Sequence, residues 1–179
     1  MQPYSDIIER VLLREELLQK LHPSEPLDRE LFRRLKDADD TQLLGGKPPK
    51  PGANAGLVRG GLYYAVDALS EAHLLFQDVH DDLGAYWHGM MHRREADFDN
   101  ARYWHRRAGT LPVFAAMHRA AAEHSSDMAR QPSWDPYLFT GQCEQARHGA
   151  PELVDELVRL QRIEFDLLFE YTWRQCVGS

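Results

Sequence analysis

Two histidines, His88 and His92, lie four residues apart in a segment that is rich in arginine, acidic and tryptophan side chains. Residues at positions i and i+4 of an α-helix share one face, with their Cβ atoms roughly 5–6 Å apart. The two imidazoles can therefore contact one metal ion, one anion or one substrate together. We predict His88 and His92 as the candidate catalytic residues, because histidine exchanges protons near neutral pH.

A metal ion is the first ligand that this spacing could serve. Neutral imidazole binds zinc, iron, copper and nickel, and two histidines one turn apart supply two of the three or four ligands needed. Gly89 stands where the zinc-protease helix motif has a glutamate, so that motif is not present. We favour Glu164 as the third ligand, because its apolar neighbours indicate a buried acid and a buried carboxylate needs a partner. One hypothesis is thus a divalent metal bound by His88, His92 and Glu164.

A small anionic ligand is the second hypothesis. Arg93 and Arg94 follow His92 directly, and an arginine side chain binds carboxylates and phosphates through a planar fork of donors. A histidine beside such arginines could serve a hydrolase or a proton-transfer enzyme. The residues that we expect to bind this ligand are Arg93, Arg94, Glu95, Asp97, Asn100, Trp104 and Arg107.

The third hypothesis makes the same residues structural. Glu95 and Asp97 stand among the arginines, and the ordinary outcome of such mixed charge is a network of ion pairs that joins two helices. The protein would then be a non-catalytic protein-interaction module. His73 occupies a core-facing position of the same apolar pattern that leads to His88, and we expect it to be a core histidine satisfied by a hydrogen bond rather than a ligand.

The elements that carry these residues are all predicted to be helical. Apolar residues recur at alternating spacings of four and three over residues 62–90, which predicts one long helix packed in a bundle. No segment shows the alternation of a strand. The fold class is therefore an all-α bundle of about six or seven helices. The predicted helices cover residues 6–21, 27–37, 62–90, 97–108, 111–124, 136–149 and 151–176.

Three regions follow from this pattern. Residues 1–44 form an N-terminal helical arm, residues 45–60 form a linker or loop rich in proline and glycine, and residues 61–179 form the helical core with the histidine and arginine site. In the interaction-module hypothesis, the arm and the loop would contact the partner.

The composition of the chain limits the classes of binding partner that we expect. A formal net charge of −7 argues against nucleic acid, whose binding depends on a wide basic surface. The two cysteines do not form a metal-binding or disulfide pattern, and no apolar run reaches the length of a signal peptide or a membrane span. We expect a cytoplasmic protein that does not contact membranes, and the sequence leaves homo-oligomers open.

The segment from His88 to Arg107 also resembles a family of uncharacterised bacterial proteins. The matching pattern is His-Gly-x-x-His-Arg-Arg-Glu-x-Asp-x-x-Asn-Ala-x-Tyr-Trp-x-Arg-Arg, and the resemblance extends over roughly residues 60–175. It implies functional residues in the motif but no activity. The chain departs from the family at His105, where an aromatic residue is more usual, and at Leu111, where a histidine is more usual, so His105 is a poor candidate for catalysis.

Overall fold

The computed structural model describes residues 4–177, and every regular element in this range is a helix. The eleven α-helices of this range are α1 (Asp6–Leu12), α2 (Arg29–Asp37), α3 (Asp40–Leu43), α4 (Ala55–Ala65), α5 (Leu69–Phe76), α6 (Asp82–Arg94), α7 (Phe98–Ala108), α8 (Phe114–Ala122), α9 (Ser126–Ala129), α10 (Pro136–Gln145) and α11 (Pro151–Val177). The predicted all-α bundle is confirmed, but the predicted number of six or seven helices was too low.

The largest correction concerns residues 62–90, which form parts of three helices instead of one. Asp67, two residues after the end of α4, adopts a left-handed backbone with φ of 63°, and the helix therefore does not continue past it. Asp81 begins α6 as its N-cap, where its side chain accepts a hydrogen bond from the backbone N–H of Gly84 at 2.7 Å. The chain therefore reverses between α5 and α6, and the two helices pack against each other.

Gly84 is the residue that allows this reversal to be tight. A Cβ atom at this position would lie 2.5 Å from the side chain and 2.6 Å from the backbone oxygen of Val79. Since real contacts are never that short, only glycine lets the connection between α5 and α6 fold back onto α6. Val79 therefore packs directly against the backbone of Gly84.

The turn from α6 into α7 was predicted more accurately. Asp97 is the N-cap of α7, and Gly109 ends that helix with φ of 60°. Gly89 brings the two helices close together, because a Cβ atom there would meet Nδ1 of His105 at 2.6 Å. The starts of α10 at Pro136, capped by Asp135, and of α11 at Pro151 are also as predicted.

The N-terminal region packs into the same hydrophobic core as the rest of the chain. The helix predicted over residues 6–21 ends at Leu12, and Leu18 adopts φ of 62°, which a continuous helix does not allow. Ile8, Leu17 and Leu18 are nevertheless fully buried in a core that also contains residues of α11. Within residues 45–60, α4 begins at Ala55.

None of the helices in residues 4–177 combines the length and the apolar character that a membrane span requires.

Candidate metal centre

His73 from α5 meets His88 and His92 from α6. The ring centroids are 4.8 Å apart for His73 and His88, 4.9 Å for His73 and His92, and 4.8 Å for His88 and His92. One potential ligand nitrogen from each residue lies within 4.8 Å of the other two. We call these three residues the three-histidine cluster. It is the group of metal-ligating side chains that the described residues bring together.

The cluster is buried and its nitrogens are mostly unpaired. His88 is 3% and His92 is 5% exposed, whereas His73 is half-buried. Both ring nitrogens of His88 lack a hydrogen-bond partner within the described residues, and so does Nδ1 of His92. Most buried polar atoms in proteins are paired, and an unpaired one costs about 1–3 kcal/mol. The cluster therefore offers lone pairs that no other group of the described chain uses.

Burial and the neighbouring imidazoles lower the pKa values of two members of the cluster, His88 and His73. Burial, and after it the neighbouring His92 and His73, lower the pKa of His88 to about 3. Burial and then His92 also lower the pKa of His73, although Glu95 acts in the opposite direction. At neutral pH His88 carries no proton on one ring nitrogen, which is the form that binds a metal ion.

Trp104 from α7 covers one side of the cluster. Its ring stacks on His88, with the centroids 4.0 Å apart and the planes 19° apart. The guanidinium of Arg107 lies over Trp104, 5.5 Å from the ring centroid. Trp104 thus contacts both His88 and the guanidinium of Arg107.

Two carboxylates lie beside His92. Oε2 of Glu95 is 3.4 Å and Oδ2 of Asp97 is 3.8 Å from its Nδ1, without the alignment of a hydrogen bond. Asp97 also accepts a hydrogen bond from the side-chain amide of Asn100 at 2.9 Å. A carboxylate near Nδ1 favours the tautomer with the proton on that atom, which leaves the lone pair of Nε2 for a ligand.

Arg93 points away from the histidines into a second polar cluster. Its guanidinium donates two hydrogen bonds to the carboxylate of Glu164, and both side chains are buried. Glu164 also accepts from the hydroxyl of Tyr86 at 2.7 Å, and Tyr86 accepts from the indole N–H of Trp134 at 2.7 Å. Burial works to lower the pKa of Arg93, but the charge of Glu164 and its hydrogen bond, together with Cys143 and Tyr64, raise that pKa overall. The arginine therefore stays charged in the core.

Arg94 makes a third set of contacts. It pairs with Asp67 and donates to the backbone carbonyls of Tyr64 at 2.8 Å and Lys20 at 2.9 Å. Its side chain is fully buried. Arg94 therefore ties α6 to the turn between α4 and α5 and to the N-terminal region.

The structure thus divides the predicted site. His88, His92, Glu95, Asp97 and Trp104 come together, and Asn100 and Arg107 lie at their edge. Arg93, Arg94 and Glu164 take part in internal ion pairs instead, and Glu164 contacts Arg93 and Tyr86 rather than the histidines.

The sequence predicts His73 as a core histidine rather than a ligand, whereas the structure places it beside His88 and His92. The signal that could have found it is the polar stretch from Gln77 to Asp82, which is typical of a turn followed by a helix cap. A reversal near residue 80 places His73 opposite His88, because the two are about equally far from the turn.

Comparison with protein-family models, curated proteins and solved structures gave no match for this chain. The resemblance to uncharacterised bacterial proteins therefore stays a prediction.

Proposed function

We propose that this protein binds one divalent transition-metal ion through His73, His88 and His92. The observation that carries the proposal is the convergence of three ligand nitrogens within 4.8 Å of one another. The unpaired buried nitrogens of His88 and the lowered pKa values of His88 and His73 support it.

The distances suit such an ion. Zinc binds histidine nitrogen at about 2.0–2.1 Å, so the nitrogens around a tetrahedral ion are about 3.4 Å apart. Side-chain rotations that move the nitrogen atoms by about 1 Å would bring them from their present separations to that value. Three imidazoles without a thiolate favour zinc, iron, copper or nickel over calcium or magnesium.

Three protein ligands leave a coordination position for water or a substrate. A zinc ion held by His73, His88 and His92 would supply Lewis-acid activation of a water molecule or of a substrate oxygen. The carboxylate of Glu95, 3.4 Å from Nδ1 of His92, would favour a proton on that atom, and Trp104 stacks on His88. Metal-assisted hydrolysis is the reaction class that these groups serve best.

The ion pairs of Arg93 and Arg94 favour a second role for part of the motif. Each guanidinium is already paired with a buried carboxylate, Glu164 or Asp67, so neither fork is directed at a ligand. For these two arginines we favour the structural network over the anionic ligand. The network and the histidine cluster use different side chains, so one protein can have both.

The test is a titration of chelator-treated protein with Zn²⁺ and with Co²⁺ by calorimetry. We expect one ion per chain. The variants His73→Ala, His88→Ala and His92→Ala should each lower the affinity at least about 100-fold, because each removes a direct ligand. His124→Ala is the matched control, since His124 is exposed and outside the cluster.

Unchanged zinc affinity in the folded His73→Ala protein would overturn the proposal, as would the absence of binding by the unaltered protein. Circular dichroism of each variant establishes that a loss of binding is not a loss of the fold.

A further inference from the structure

The described residues give His88 no hydrogen bond that orients its ring. Both ring nitrogens lack a partner, and the side chain is 3% exposed. The carboxylates beside the cluster, those of Glu95 and Asp97, lie near Nδ1 of His92 instead. A metal-ligating histidine is usually held in one orientation by a hydrogen bond from the nitrogen that does not bind the metal. Another contact must therefore orient the ring of His88.

Trp104 supplies this contact from α7. The centroids of the indole and of the His88 imidazole are 4.0 Å apart, and the two planes are 19° apart. Paired aromatic rings usually have their centroids about 4.5–7 Å apart, so this stack is close. Rotation about the Cβ–Cγ bond of His88 would turn the imidazole into the indole. The stack therefore restricts His88 to one ring plane.

The close approach of α6 and α7 fixes the position of the indole. A Cβ atom at Gly89, the residue after His88, would lie 2.6 Å from Nδ1 of His105 and 3.1 Å from the backbone oxygen of Ala101. His105 follows Trp104 directly and Ala101 precedes it by three residues, so this contact flanks the stack on α7. The absence of a side chain at Gly89 thus allows Trp104 to reach His88.

The indole also interacts with the charge of a bound ion. The faces of an indole are electron-rich and attract positive charge. A metal ion on His88 would withdraw electrons from the imidazole, so the stack is stronger with the ion than without it. The guanidinium of Arg107, 5.5 Å from the ring centroid, is a cation that the same indole already attracts. Trp104 therefore favours the metal-bound form of His88 as well as one plane of its ring.

His73 has more room to rotate than His88, because it is half-buried rather than buried. Its ring is inclined by 61° to the ring of His88 and by 75° to that of His92. Three rings that bind one ion must direct their nitrogens to a common point, so some of them must rotate. Since Trp104 restricts His88, this rotation falls on His73 and His92.

We propose that Trp104 is a positioning residue of the candidate metal centre, whose indole holds the ring of His88 in the plane in which it binds the ion and stabilises the metal-bound imidazole. This inference rests on the proposed metal function, and it concerns a residue that acts through a ligand without touching the ion. It gives Trp104 a different task from the contact with an anionic ligand that the sequence predicted.

The test removes the aromatic face in Trp104→Leu and Trp104→Met and keeps a smaller ring in Trp104→Phe. Calorimetric titration with Zn²⁺ should give an affinity about 10-fold to 100-fold lower for the two variants without a ring, because all three ligands remain but His88 is free to rotate. Trp104→Phe should stay within about 3-fold of the unaltered protein, because it can still stack. The absorption spectrum of bound Co²⁺ depends on ligand geometry. It should change in the two variants without a ring and be retained in Trp104→Phe.

Phe114→Leu is the matched control for the loss of a packed ring. Phe114 is buried outside the three-histidine cluster, and its ring packs against that of Tyr86, with the centroids 5.1 Å apart. This variant should have a lower free energy of unfolding in urea denaturation, but unchanged zinc affinity and an unchanged Co²⁺ spectrum. A loss of zinc affinity as large as that of the Trp104 variants would show that general packing, and not the stack on His88, is what matters.

Unchanged zinc affinity and an unchanged Co²⁺ spectrum in folded Trp104→Leu or Trp104→Met protein would overturn the inference, as would an equally large loss in Trp104→Phe. Those results would leave the metal function in place, because the unaltered protein binds zinc in each of them. Absence of zinc binding by the unaltered protein would contradict the metal function itself, and this inference with it.

Discussion

Consecutive residues of the central motif have different tasks. His92, Arg93 and Arg94 follow one another, and successive side chains of a helix point about 100° apart. His92 therefore contacts the histidine cluster, Arg93 contacts Glu164, and Arg94 contacts Asp67. A dense polar motif in the sequence thus supplies a candidate site and two ion pairs of the core.

Glu95 gives the first prediction at the scale of the residue. The variant Glu95→Gln should lower the affinity for zinc about 10-fold to 100-fold, because the carboxylate that orients His92 is lost while all three ligands remain. Calorimetric titration measures the affinity, and urea denaturation should give an unchanged free energy of unfolding. Asp99→Asn is the control, since Asp99 is exposed and does not contact His92. Identical zinc affinity in the Glu95 variant would show that Glu95 does not position His92.

Glu164 gives the second prediction and separates the two roles that can be assigned to it. The variant Glu164→Gln leaves the charge of buried Arg93 uncompensated and should destabilise the fold by about 3–5 kcal/mol, measured by urea denaturation. The zinc stoichiometry of the folded fraction should stay at one ion per chain. Loss of zinc binding with an unchanged free energy of unfolding would instead make Glu164 a metal ligand.

At the scale of the element, the sequence predicted helices best where a cap or a proline marks their ends. Asp97, Asp135 and Pro151 each begin a helix as predicted. His88 and His92 were found because their pairing depends only on the repeat of one helix. The partnership with His73 depends on a tight reversal between two helices, and the apolar spacing of four and three continues across that reversal.

The turn after α6 gives a prediction of increased stability. Ala96 follows the helix with a left-handed backbone, at φ of 61°, which costs an alanine about 1 kcal/mol. The variant Ala96→Gly should therefore stabilise the protein by about 0.5–1 kcal/mol, as measured by urea denaturation. Ala116→Gly inside α8 is the control and should destabilise by about 1 kcal/mol. A destabilised Ala96→Gly protein would mean that the turn does not strain the alanine.

At the scale of the whole molecule, several buried histidines share one pH dependence. Burial lowers the pKa values of His22, His73, His88 and His105 below the ordinary value of 6.5. The unfolded chain therefore takes up protons below pH 6.5 that the folded chain does not, so the free energy of unfolding decreases as the pH falls. For His88 this window extends from 6.5 down to about 3.

We predict that metal-free protein loses about 1 kcal/mol of stability per pH unit for each histidine that stays neutral when folded. Urea denaturation between pH 7 and pH 5 measures this slope. The variant His105→Met removes one buried imidazole outside the metal cluster and should make the slope less steep. A free energy of unfolding that stays constant over this range would contradict the prediction.

The central claim is tested most directly by anomalous X-ray scattering from crystals of the zinc-loaded protein, recorded on both sides of the zinc absorption edge. We predict one anomalous peak per chain at about 2.1 Å from a ring nitrogen of each of His73, His88 and His92. A peak elsewhere, or the absence of any peak at the three-histidine cluster, would contradict the account.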